Sequence, residues 1–162
     1  MGSEPSGPVT SRPKLPSFTL TLVIVLKGED MLEQLGQAFT AEDAAAMVAT
    51  MADDVTLRVA VHDAPYDGVQ TAAQLLGVVL DGVLHDIDVF DTIRGGSDAA
   101  VVMFSAQVAG HPGRADGLLV ARPDKDGRIV DLTVFLRPLA ALRALDDEMG
   151  RRIGGPRPDG IE

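Results

Sequence analysis

Histidine is the side chain best suited to exchange protons near neutral pH, and this chain has three of them. His62 is followed by Asp63 and Tyr66 in one short polar stretch. At a pocket mouth this set could form a general base with an orienting acid and a hydroxyl donor. A polar loop whose residues hydrogen-bond locally is the simpler reading, because lone residues without a confirming geometry make a weak site. His85 precedes Asp86 and Asp88, which could suggest a metal. Successive strand residues face opposite sides, so only Asp86 and Asp88 share a face. The spacing is not that of a known ligand set, and no metal is expected. His111 falls in a turn.

Arg58 lies among apolar or small residues. Facing inward, it could hold a carboxylate by two hydrogen bonds. Alternation sets Thr56, Arg58, Ala60 and His62 against Val55, Leu57, Val59 and Val61. The second set is the better core face, so Arg58 is expected to point outward.

Composition removes whole classes of chemistry. Cysteine is absent, so there are no disulfides and no thiolate nucleophiles or ligands. That fits a reducing cytoplasm, the expected compartment. Asp and Glu number 24 against 14 Lys and Arg, a formal net charge of −10. With no basic patch of useful length, nucleic acid is not an expected partner. The glycine pairs lack phosphate-loop spacing, so no nucleotide or other cofactor is implied. The apolar run 15–26 is too short to span a bilayer and lacks a small-residue cleavage pattern. No membrane association is expected.

The elements that must position these residues follow from periodicity. Residues 1–30 read as a leader rich in Gly, Ser and Pro, with a possible extra strand at 18–26. A domain over 31–153 and a flexible tail over 154–162 complete the chain. Met31, Leu32, Leu35, Ala38 and Phe39 have the spacing of an amphipathic helix. Thr40 could cap a second helix, with Glu42 and Asp43 in its first turn, running on through Met51 to Asp54. A strand over 55–61 follows, then a third helix over 69–84 and strands at 86–94, 99–109 and 116–122. Asp124 to Gly127 makes a hairpin into a last strand, 128–137. Pro138 starts a final helix with Leu139, Leu142, Leu145 and Met149 as its apolar stripe.

The order helix, helix, strand, helix and then long antiparallel strands resembles the nuclear transport factor 2-like superfamily, which includes SnoaL-like and ketosteroid isomerase-like proteins. Ala52-Asp53-Asp54-Val55-Thr56-Leu57 is similar to the end of that family's second helix and its first strand. Asp126-Gly127-Arg128-Ile129 is similar to the hairpin before its last strand, and Thr133 to Leu145 to the ending of many SnoaL-like members. The resemblance covers about residues 31–150. It implies an α+β cone: a bent antiparallel sheet wrapped around three N-terminal helices, plus a C-terminal helix. It also implies an internal cavity, and a homodimer formed through the outer sheet face.

The best-understood chemistry of the superfamily is allylic isomerisation. One carboxylate moves a proton, while a tyrosine and a neutral carboxylic acid hold the oxyanion. Matching the motifs without gaps places the base at Val59, the tyrosine at Leu35 and the second acid at Leu119. Hydrocarbon side chains can neither exchange protons nor donate hydrogen bonds, so that chemistry is not expected here. Epoxide-hydrolysing relatives use an Arg and two Asp on strands, whereas strand 99–109 has no charged residue. The sequence therefore favours a protein that binds a small, neutral, hydrophobic molecule in an apolar pocket lined by Leu35, Val59, Leu119 and Met103. The alternative is a polyketide-cyclase-like or isomerase-like enzyme using an unusual polar set near His62.

Overall fold

The computed structural model of the chain describes residues 31–95 and 98–154. The readings made for 1–30 and 155–162 lie outside the described residues. Helix α1 covers 31–40, and its apolar positions are the buried ones, with Leu35 fully enclosed. The helical spacing is thereby translated directly into a core-facing stripe.

Helix α2 is only Ala44–Val48, three residues shorter at its start and six at its end than its sequence suggests. Its cap is Asp43, whose carboxylate accepts the Ala46 N–H at 2.9 Å, and not Thr40, which still belongs to α1. Glu42 occupies the left-handed region at φ 55°, in the turn between the two helices. At the other end the Thr50 hydroxyl donates to the Met47 carbonyl at 2.6 Å and closes the helix. Strand β1, Met51–Arg58, begins at once. Met47 and Met51 are both buried at the four-residue spacing of a helix, yet Met51 is in register with Ile129 on a neighbouring strand. Tertiary pairing overrides the local helical pattern there.

Strand β2, Tyr66–Asp67, folds back on β1. Helix α3, Val69–Leu80, then crosses to the far edge of the sheet, ending before Gly82 instead of reaching Leu84. Four strands return as a meander: β3, Leu84–Arg94; β4, Ala100–Val108; β5, Arg114–Pro123; and β6, Ile129–Arg137. The short connections make each consecutive pair antiparallel, as the 124–127 hairpin predicts. The six-stranded order is β2-β1-β6-β5-β4-β3.

One junction corrects the expectation of a wholly antiparallel sheet: β1 and β6 are parallel. No hairpin joins them. They are linked through α3 and four strands, β2 to β5, a crossover long enough for parallel pairing. The sheet is otherwise the curled, unclosed sheet of an α+β cone, with α1 to α3 against its concave face.

Helix α4, Leu139–Ile153, follows Pro138 and ends on Gly154 in the left-handed conformation at φ 67°. It docks on β6, α3 and β4. Ala141 is its fully buried residue, whereas Leu139, read as part of the stripe, is 57% exposed. Among the described residues no helix is long and apolar enough to cross a membrane.

Candidate functional site

The concave face of the meander is built from alternate residues. On β4 these are Val102, Phe104, Ala106 and Val108, and on β5 Ala115, Leu119 and Ala121, all buried. Phe104 meets Phe39 of α1 edge to face, with ring centroids 4.8 Å apart. Gly117 makes room for that ring. A Cβ on Gly117 would lie 2.6 Å from Phe104 Cε1 and 2.7 Å from the Phe135 carbonyl oxygen.

Leu35, from α1, and Leu119, from β5, belong to this single apolar cluster and are essentially inaccessible. Val59 lies just past the end of β1, half-buried, and packs against the same cluster. The three positions matched to catalytic groups thus share one hydrocarbon core. Met103 sits on the other side of the sheet, because its neighbours Val102 and Phe104 take the inner face. There it lines a groove of about 490 Å³ with Phe90, Leu118 and Phe135.

A second recess, about 770 Å³, opens between α1 and the edge strand β3. Leu32, Gly36 and Thr40 face it from the helix, and Val89, Thr92 and Arg94 from the strand. Leu32 and Val89 are also part of the core packing, so the floor of this recess is the skin of the core. Glu33 and Gln37, on its helical wall, are joined by a hydrogen bond of 3.0 Å. Sequence reading did not single out this recess. Its only local signal is a glycine inside an otherwise helix-favouring run.

The proton-transfer candidates lie elsewhere. His62 and Asp63 occupy the loop between β1 and β2, and Tyr66 opens β2. His62 Nδ1 accepts the Ala64 N–H at 3.1 Å, and its ring lies 5.3 Å from that of Tyr66. Among the described residues no hydrogen bond joins Asp63 to His62, and none of the three lines either recess.

Arg58 points outward and pairs with Asp131, its side chain 47% exposed. Arg114 engages Asp86 at 2.7 Å and Ser105 at 2.8 Å, clamping the irregular start of β3 where Asp86 has φ 51°. His85 stands beside this clamp with its Nδ1 buried and, among the described residues, without a hydrogen-bond partner. No group of three metal-ligating side chains forms among the described residues.

No protein-family model matches this sequence, and none of the curated proteins does. Solved structures do. A steroid Δ-isomerase from Pseudomonas aeruginosa matches with TM-score 0.71 and 29% identity, over 79% of this chain and 92% of that one. A nuclear transport factor 2-like protein of unknown function from Mesorhizobium loti matches with TM-score 0.60 and 20% identity, over 70% and 93%. A SnoaL-like protein of unknown function from Burkholderia thailandensis matches with TM-score 0.57 and 17% identity, over 70% and 96%. Fold neighbours therefore include an isomerase alongside proteins without assigned chemistry. With its cone of bent sheet, its order of elements and these likenesses, the chain has the fold shared by nuclear transport factor 2-like, SnoaL-like and ketosteroid isomerase-like proteins.

Proposed function

We propose that this protein binds a small hydrophobic molecule against its apolar interior and is not a conventional ketosteroid isomerase or epoxide hydrolase. One observation carries the reading. Leu35, Val59 and Leu119, at the positions matched to the proton-transferring and oxyanion-holding groups of the isomerase, all contribute hydrocarbon to one cluster. Burying apolar ligand surface there gains roughly 25 cal/mol per Å². Burying an unpaired charge would cost several kcal/mol. The recess between α1 and β3 is the natural entry, because Leu32 and Val89 join its floor to the core.

Two copies of the chain meet, in this reading, through the outer face of β3 to β6. Phe90, Ile93 and Phe135 are each about half exposed, at 55%, 48% and 53%, and contiguous apolar surface of this kind marks interaction sites. A reducing cytoplasm suits a chain without cysteine. The alternative enzyme built on His62 gains no support, since His62 is tied to its own loop and stands away from both recesses.

Native mass spectrometry of protein purified from its source tests the reading. A retained hydrophobic molecule is expected, and a ligand-free protein that also ignores hydrophobic fluorescent probes would refute it. With a β,γ-unsaturated ketosteroid as substrate, conversion is expected to stay at the rate in solvent.

A further inference from the structure

Gly36 stands in the middle of α1, on the line Leu32, Gly36, Thr40 that faces β3. Glycine inside a helix is unfavourable relative to alanine and usually has a packing or conformational reason. Neither applies here. Gly36, itself buried, is not among the glycines with positive φ, and a Cβ added to it would meet no atom of the described residues within 4 Å. The missing side chain leaves a notch in the helical wall of the recess, between Leu32 and Thr40.

Across from the notch, β3 carries Val89, Thr92 and Arg94. At strand spacing, Arg94 lies roughly 16 Å along the chain from Val89. It is exposed, and among the described residues it has no ion-pair partner, although the chain as a whole carries a net charge of −10. The acid on the opposite wall, Glu33, accepts a hydrogen bond from Gln37. An unpaired guanidinium beside an apolar notch is complementary to one kind of small molecule.

We infer that the α1–β3 recess binds an amphipathic organic acid, its hydrocarbon body in the Gly36 notch over Leu32 and Val89 and its anionic group on Arg94. This rests on the ligand-binding reading above and names the ligand's chemical class. The charge stays at the rim in water, so nothing ionised enters the core. The expectation of an uncharged interior is kept, while the molecule as a whole carries an acid.

Two fluorescent probes of nearly equal shape separate the parts of the proposal: 8-anilino-1-naphthalenesulfonate, which is anionic, and N-phenyl-1-naphthylamine, its neutral counterpart. Both are titrated into the full-length protein. Arg94→Gln is expected to weaken the anionic probe by about tenfold, as loss of a charge-assisted hydrogen bond does, and to leave the neutral probe unchanged. Gly36→Leu should weaken both by filling the notch. Gly36→Ala, which suits a helix and meets no neighbour, should do so more mildly with the fold intact by circular dichroism. An Arg94→Gln protein that binds the anionic probe as well as the parent overturns the assignment of the acid group. Binding of the neutral probe in that case leaves the ligand-binding reading standing. Both probes binding equally well to the parent and the two Gly36 variants would place the site elsewhere and overturn the inference. Failure of the anionic probe alone to bind the parent overturns the inference, and failure of both probes refutes the ligand-binding reading itself.

Discussion

Two neighbouring rows of side chains cross the same three strands on opposite sides of the sheet. On the inner side Phe104, Gly117 and Leu136 are in register across β4, β5 and β6. On the outer side the adjacent row is Met103, Leu118 and Phe135. Both rows are apolar, and one residue of chain separates them. Their fates differ because the inner row is completed from within the molecule: Phe39 of α1 packs on Phe104, and Gly117 vacates the space the ring fills. The outer row has no such complement among the described residues, and Phe135 remains 53% exposed. Strand composition alone does not make a core. A core needs a second layer, and among the described residues only one face of the sheet receives helices.

Mutations can break this comparison at both rows. The largest effect is expected from Phe104→Ala, a buried aromatic truncation that should cost about 4 kcal/mol in urea denaturation. Gly117→Ala should follow at about 2 kcal/mol or more, because the new methyl group overlaps the Phe104 ring. The double variant sharpens the point. With the ring gone the methyl group keeps only its close approach to the Phe135 carbonyl, so the two costs should sum to more than the double variant loses. Strict additivity would mean that Gly117 serves the backbone and not the ring.

On the outer row, Phe135→Asp should change the protomer's stability by no more than about 0.5 kcal/mol, as exposed substitutions do. It should nevertheless shift the protein from dimer to monomer in sedimentation velocity. Identical sedimentation of parent and variant would remove the outer face as the meeting surface of two copies.

Two smaller effects would distinguish the proposed binding recess from mere surface. Gly36→Ala should raise stability by about 0.5–1 kcal/mol through helix propensity alone, measured by thermal melting, while ligand affinity falls. Arg58→Leu should move stability by no more than about 0.5 kcal/mol, since its pair with Asp131 is substantially exposed. It should also leave the preference between acidic and neutral ligands untouched. Loss of that preference on changing Arg58 would mean that this arginine, and not Arg94, reads the ligand.

Much of this architecture is legible in the amino-acid sequence because it is local. The alternation of β4, the amphipathic spacing of α1 and the short 124–127 turn each determine an element and, for the turn, an antiparallel partner. The absence of ionisable groups at Leu35, Val59 and Leu119 is equally a property of the sequence, since no packing can make a hydrocarbon exchange a proton. The outward turn of Arg58 also follows from alternation, since its neighbours Val55 and Leu57 make the better core face.

Other features belong to the tertiary structure alone. Met51 has helical spacing from Met47 but is claimed by β6, because pairing with a distant strand outweighs a marginal one-turn helix. The parallel join of β1 to β6 depends on a crossover whose ends the sequence does not mark. Met103 and Phe104 are both apolar neighbours on one strand, and periodicity separates their faces without saying which one the helices will cover. The recess is the clearest case. Gly36 and Arg94 lie far apart in the chain, and neither segment points to the other. Only when α1 is laid along the edge of β3 do a missing side chain and a positive charge become two walls of one recess.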